Sequence, residues 1–185
     1  MSATQTGLAG FSLVMDELCR RLAADLDGAF PDLVDALASD VYSGLRRLAG
    51  ADDAQDLTQE TFIRAYRALG EYDAERVRAL RLRAWVWTIA LNLGRNHARD
   101  KARRPIPVQL DDRFAVEDPE PADEAAWDRR LRALPPAQRR AVVLRHVVGL
   151  DYDEIAEATG RPPATVRSDV HRGLERLRAT LEGES

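Results

Sequence analysis

The sequence predicts an all-α protein of two small helical domains joined by an acidic, proline-containing linker, with a helix-turn-helix in the C-terminal domain. Three observations predict it. Apolar residues recur at three- and four-residue spacings along both halves of the chain, the period of a helix face. Residues 105–126, PIPVQLDDRFAVEDPEPADEAA, hold four prolines and seven acids against Arg113, a composition that buries little apolar area and interrupts helices. Near the C-terminus, a short apolar-periodic run, a glycine and a longer run with basic residues follow in direct succession. The linker at 105–126 divides the chain into domains 1–104 and 127–185.

In the first domain, FPDLVDALASDVYSGLRRLAG places Leu33, Leu37, Val41, Leu45 and Leu48 on one helical stripe. After Gly50, DDAQDLTQETFIRAYRALGEYD continues with Leu57, Ile63 or Phe62, Tyr66 and Leu69, and Gly70 offers a stop. LRAWVWTIALNLGRNHARDKARR follows, with Trp85, Ile89, Ala90 and Leu93 expected to cover a core. Trp87 falls on a different face, where it could stack on an exposed base. In the second domain, LPPAQRRAVVLRHVVGL opens with a proline-primed helix. DYDEIAEATG is a short helix ending at Gly160. RPPATVRSDVHRGLERLRATL starts a longer helix with an expected apolar stripe of Val166, Val170, Leu174, Leu177 and Leu181.

Charge narrows the function classes. The net charge is −4, so the whole molecule does not advertise nucleic acid and local charge must decide. Residues 1–60 carry eleven acids against four bases, whereas residues 76–104 carry nine bases against Asp100. Cys19 is the only cysteine and His97, His146 and His171 the only histidines, in no metal-ligand spacing. No cofactor is expected. No nucleophile, base and electrophile converge in sequence, which disfavours an enzyme. The start MSATQTGLAG lacks the basic and apolar pattern of a signal peptide, and no apolar run reaches the length of a membrane span. A cytoplasmic protein without stable membrane insertion is the expectation.

Three surfaces stand out. Asp53, Asp56, Gln59 and Glu60, with Leu57 beside them, suit a basic protein partner. A solvated helix with acids at its positive end reads the same way. Asn92, Arg95, Asn96, Arg99 and Arg103 recur at helical spacings as a cationic face whose amides can bond splayed bases. Thr165, Arg167, Ser168, His171 and Arg172 lie near the start of the last helix, where Arg reads guanine edges or holds phosphate. A helical bundle with water-facing arginines would show the same pattern.

Taken together, the chain resembles the extracytoplasmic-function group of bacterial RNA polymerase sigma factors. DAQDLTQETFIRAYRAL (53–69) is similar to their core-polymerase-binding helix, and RAWVWTIALNLGRNHARDKARR (83–104) to the promoter-melting and −10-recognition part. LPPAQRRAVVLRHVVGLDYDEIAEATGRPPATVRSDVHRGLERLR (134–178) is similar to the region that reads the −35 element. The resemblance implies core RNA polymerase contacts at Asp53, Asp56, Leu57, Gln59 and Glu60. It implies −10 contacts at Asn92, Arg95, Asn96, Arg99 and Arg103. It implies −35 contacts at Arg161, Thr165, Arg167, Ser168, His171 and Arg172. Promoter DNA and core polymerase are then the partners, and the resemblance adds an anti-sigma factor. Three departures stand out: Asp169 and Gly173 within the recognition segment, where Asp169 would tune preference by repulsion, and the arginine-rich RVRALRLRA before the −10 part. The other function class left open is a helix-turn-helix regulator that binds duplex DNA without polymerase.

Overall fold

The computed structural model describes residues 3–103 and 122–183, with side chains described for 13–103 and 124–183. The described residues form helices α1 (Ala3–Ala24), α2 (Leu26–Ala49), α3 (Ala51–Glu71), α4 (Ala74–Arg78) and α5 (Leu82–Arg103). The second group is α6 (Ala122–Ala133), α7 (Pro136–His146), α8 (Tyr152–Thr159) and α9 (Pro163–Gly183). No strand occurs among them, as the helical periodicity requires. Residues 105–121 of the expected linker lie outside the described residues. Its last part, residues 122–126, is helical and begins α6.

The antiparallel pair α2 and α3 turns on Gly50, whose φ of 112° closes one helix and opens the next in a single residue. Leu33, Leu37, Val41 and Leu45 face inward from α2 as their spacing predicts, and Ala54, Leu57, Phe62 and Leu69 meet them from α3. Phe62 is the inward residue of its pair; Ile63 and Tyr66 point to solvent. Ahead of them α1 packs on α2, α4 and α5 through Met15, Leu18, Cys19 and Leu22, which recur at three- and four-residue separations on one helical face. The Cys19 thiol donates to the Leu80 carbonyl at 3.4 Å. Burial, then the Asp16 carboxylate nearby, push the thiol up to about 11, so it stays protonated and packs as a small apolar group.

Two expectations about tryptophan are corrected. Trp87 is the core residue, 2% exposed, and is closed to base stacking in this arrangement. Trp85 is half-buried and packs edge-on against Tyr72, ring centroids 6.1 Å apart. The reason is tertiary: Gly44 of α2 leaves room for one large ring on α5, and a Cβ there would sit 2.4 Å from the Trp87 indole. Val148 of the second group closes the same space, 2.9 Å from that position.

The two helical groups share one continuous core. Leu144, Val148, Leu150, Ile155 and Val166 belong to the same apolar cluster as Val86, Trp87 and Leu45. A smaller cluster of Leu131, Leu134, Val142, Val143 and Leu177 lies within the second group. There α8 is closed by a capping box: Asp151 accepts from the Glu154 amide at 2.7 Å and Glu154 accepts from the Asp151 amide at 2.8 Å. Gly160 takes left-handed backbone, φ 68°, to turn into α9.

The apolar stripe of α9 also differs from expectation. Leu174 and Leu181 are exposed, and the buried stripe runs Val166, Val170, Gly173, Leu177. Gly173 permits the close crossing of α7 and α9, since a Cβ there would lie 2.6 Å from Val142 Cγ2. The helix thus tolerates a residue of poor helix propensity because its neighbour occupies the missing volume. Gly173→Leu is therefore expected to destabilise the protein by about 1–3 kcal/mol through overpacking, despite leucine's better propensity. Urea denaturation measures it, and equal or greater stability would show that the crossing is not tight.

Candidate functional site

On α3, Asp56 and Gln59 are exposed and Glu60 is half-exposed, bonded to Arg64 Nε at 2.7 Å. Leu57 is buried in the core, so it supports this helix from within. Asp53 turns toward α5, its carboxylate 3.0 Å from both His97 Nε2 and Lys101 Nζ. Burial pushes the Asp53 pKa up, but the Lys101 hydrogen bond and the His97 charge outweigh it and hold it below the usual carboxylate value.

Beside these acids, α2 and α3 leave a groove of about 700 Å³ that the sequence reading missed. Phe30, Val34 and Tyr42 line one wall, and Phe62, Ile63 and Tyr66 the other. Tyr66 is fixed by a 2.6 Å bond to Asp27 and an edge-on contact with Phe30. The exposed Tyr42, Ile63 and Tyr66 were the available signal: large apolar or aromatic residues at helical spacing that the core does not take up.

The α5 face expected from spacing is present. Asn92, Arg95, Asn96, Arg99 and Arg103 are all exposed, and Arg95 donates to the Asn92 side-chain oxygen. Two other cations of the same basic stretch turn elsewhere. Arg83, 9% exposed, donates to the Val148 carbonyl at 3.0 Å and to Glu154 at 3.3 Å. Arg81 lies 3.6 Å from both Asp151 and Glu157. The arginine-rich RVRALRLRA thus tethers the second helical group to the first.

On α9, Arg167, Ser168, His171 and Arg172 are exposed along one shallow cleft with Ala164. Thr165 is half-buried, its amide bonded to the Pro162 carbonyl at 2.9 Å. Tyr152 of α8 lies under both Arg167 and Arg145, each guanidinium 5.1 Å from the ring centre. This brace was not read from the sequence. Asp169 is buried, and it does not face a ligand: it accepts from Arg161 at 2.6 Å and lies 4.0 Å from Arg172. The expectation that it tunes preference by repulsion is corrected; it orients two of the arginines.

The geometry is that of two basic helical faces, one ending each group, and an acidic helix with an apolar groove. The family description Sigma-70 region 2 matches residues 33–104, and Sigma-70, region 4 matches residues 124–177. The chain is 32% identical over 154 residues to the RNA polymerase sigma-H factor of Pseudomonas aeruginosa, covering 75% of this chain and 78% of that one. The chain belongs to the extracytoplasmic-function sigma factors. As a member of this group it directs RNA polymerase to promoters and is not itself an enzyme.

It is also 37% identical over 169 residues to the ECF RNA polymerase sigma factor SigE of Mycolicibacterium smegmatis; the match covers 85% of this sigma factor and 63% of that relative. Among solved structures it resembles the sigma factor RpoE in complex with the anti-sigma factor NepR from Bartonella quintana. That likeness has a TM-score of 0.64 and 25% identity, and covers 85% of this chain and 97% of that one. No helix among the described residues is long and apolar enough to cross a membrane. No group of potential metal ligands gathers among them.

The Asp53 contact gives a pH signature. Its lowered folded-state pKa contributes stability that is present above the unfolded value of about 3.9 and is lost as pH falls through the folded value. Comparing thermal stability with Asp53→Asn from about pH 6 down to about pH 3 should show the wild-type advantage shrinking toward the acid end. A constant difference would remove the ionic contribution of this site.

Proposed function

We propose that this sigma factor holds core polymerase with the α3 face of Asp56, Gln59 and Glu60 together with the α2–α3 groove. The −10 strand goes to Asn92, Arg95, Asn96, Arg99 and Arg103, and the −35 duplex to Arg161, Arg167, Ser168, His171 and Arg172. Asp53, Leu57 and Thr165 support these surfaces from behind. The domain division at residues 104 and 127 is part of the same reading. The observation that carries it is the alignment of all five α5 side chains on one exposed face, free of the tethering arginines. Exposed amides and guanidinium groups at that spacing can follow an unstacked strand.

The packed arrangement must open on the promoter. Elements centred about 25 base pairs apart are separated by about 85 Å of B-form DNA at about 3.4 Å per base pair. A compact chain of this length has a radius of gyration of about 16 Å. The α5 and α9 faces therefore reach both elements only once the second helical group leaves the first. Opening uncovers Trp87 and Arg83 as well as the apolar side of α8, which a protein partner could cover. The Bartonella relative is seen with an anti-sigma factor, and we assign such a partner to this chain.

Reconstituted transcription with core polymerase and a promoter library tests the reading; a regulator acting without polymerase would bind duplex DNA but direct no initiation. Within that assay, Asp56→Lys with Glu60→Lys should lower polymerase affinity by about tenfold or more, with circular dichroism unchanged. Unaltered competition for core polymerase would move the interface elsewhere. Asn92→Ala with Asn96→Ala should slow opening of a duplex promoter while leaving upstream duplex binding intact. A pre-opened promoter should restore part of the rate, in contrast to Arg167→Ala with Arg172→Ala, whose defect lies upstream. Normal opening by the asparagine variant would refute the downstream assignment.

A further inference from the structure

A cavity of about 300 Å³ lies where α5 of the first helical group meets α7 of the second. Leu45, Leu48 and Leu91 form an apolar wall, and Arg95, Arg139 and Arg140 line it. Arg139 and Arg140 have no carboxylate partner among the described residues, and the Arg139 Nε is buried without a hydrogen bond. Among the described residues, Arg95 bonds only to the Asn92 amide oxygen. Lys101 and His97 reach the same cavity, and the one acid lining it among the described residues, Asp53, is already shared between them. Burial lowers the Arg140 pKa, and Arg95, Arg161 and Arg139 lower it further. Among the described residues, the guanidinium groups of two domains are thus brought together with no carboxylate of their own beyond the shared Asp53, against the ordinary rule for desolvated cations.

We propose that this interdomain cavity is a binding site for a small phosphate-bearing ligand of the nucleoside diphosphate class. Guanidinium forks match phosphate oxygens in pairs, and several converging forks call for more charge than a carboxylate carries. The leucine wall suits a flat apolar body such as a nucleobase, and the volume lies at the lower end of ligand-site size. A polynucleotide backbone displays its phosphates on an outer surface and does not enter a concavity of this volume. Because Arg95 belongs to one domain and Arg139 and Arg140 to the other, the bound anion bridges them and favours the packed arrangement. It would also occupy Arg95, and so oppose promoter engagement. That last consequence rests on the promoter reading; the binding itself does not.

The test is calorimetric titration of the full chain with GDP, ADP, inorganic pyrophosphate and a single-stranded oligonucleotide at matched ionic strength. Saturable binding of at least one nucleoside diphosphate is expected, tighter than pyrophosphate. Arg139→Ala with Arg140→Ala should weaken it at least about tenfold, since charge-assisted contacts are removed. The ligand-free double variant should melt no lower than the wild type, because mutual repulsion is relieved. Arg20→Ala with Arg78→Ala makes the same charge change on exposed sites and should leave affinity within about twofold. Arg140→Gln, a milder change, should lie between wild type and the double variant. No saturable binding of any probe, an equal loss in the control pair, or binding only of a single-stranded oligonucleotide overturns the site. Transcription by the double variant without ligand reports separately on the sigma-factor reading.

Discussion

The arrangement of the two domains depends on one buried guanidinium. Arg83 sits 9% exposed in the first turn of α5, and two of its partners, the Val148 carbonyl and Glu154, lie in the other helical group. Glu154 is at the same time the reciprocal acceptor of the α8 capping box. The N-terminus of α8 is therefore held in one register on α5, with Arg81 reaching Asp151 and Glu157 on the outer side. A buried pair of this kind contributes little net stability, because the cost of desolvation nearly offsets the attraction, but breaking one side is expensive. It fixes where the domains meet more than how strongly. The strength comes from Trp87, Val148, Leu150 and Ile155, whose burial is non-directional.

That division of labour suits a joint that opens. When the domains part, Arg83 and Glu154 regain water, so the ionic part of the joint comes apart at small net cost. The apolar part must be compensated by whatever then covers the same surface. A second ionic group, Glu124 and Asp128 of α6 against Arg46 and Arg47 at the end of α2, adds to the tether. These arginines lie in the last turn of α2, where the helix carbonyls already favour cations.

The cations of the basic stretch consequently have three distinct employments. Arg81 and Arg83 hold the domain joint, Lys101 holds α3 to α5 through Asp53, and Arg95, Arg99 and Arg103 stay exposed. On α9 the same partition appears at smaller scale. Asp169 and Tyr152 fix Arg161 and Arg167 from below, while Ser168, His171 and Arg172 face outward. A recognition helix whose arginines are already oriented loses less side-chain entropy on binding.

The sequence by itself determined helices α2, α3, α5, α7, α8 and α9, the stripe Leu33–Leu37–Val41–Leu45, the Gly160 turn and the exposed face of α5, because each follows from local period and turn chemistry. Motif order was enough to indicate the family. What only the tertiary structure decided is which of several equally apolar or equally charged residues meets a partner from afar. Trp87 rather than Trp85 is buried because Gly44 and Val148 shape one space. Gly173 rather than Leu174 lies on the buried stripe because Val142 crosses there. Asp169 supports arginines and Arg83 joins domains because their partners, Arg161 and Glu154, are placed by turns and by a long-range packing that no local spacing encodes. Period fixes a face to within a residue or two; close contact across elements selects the residue.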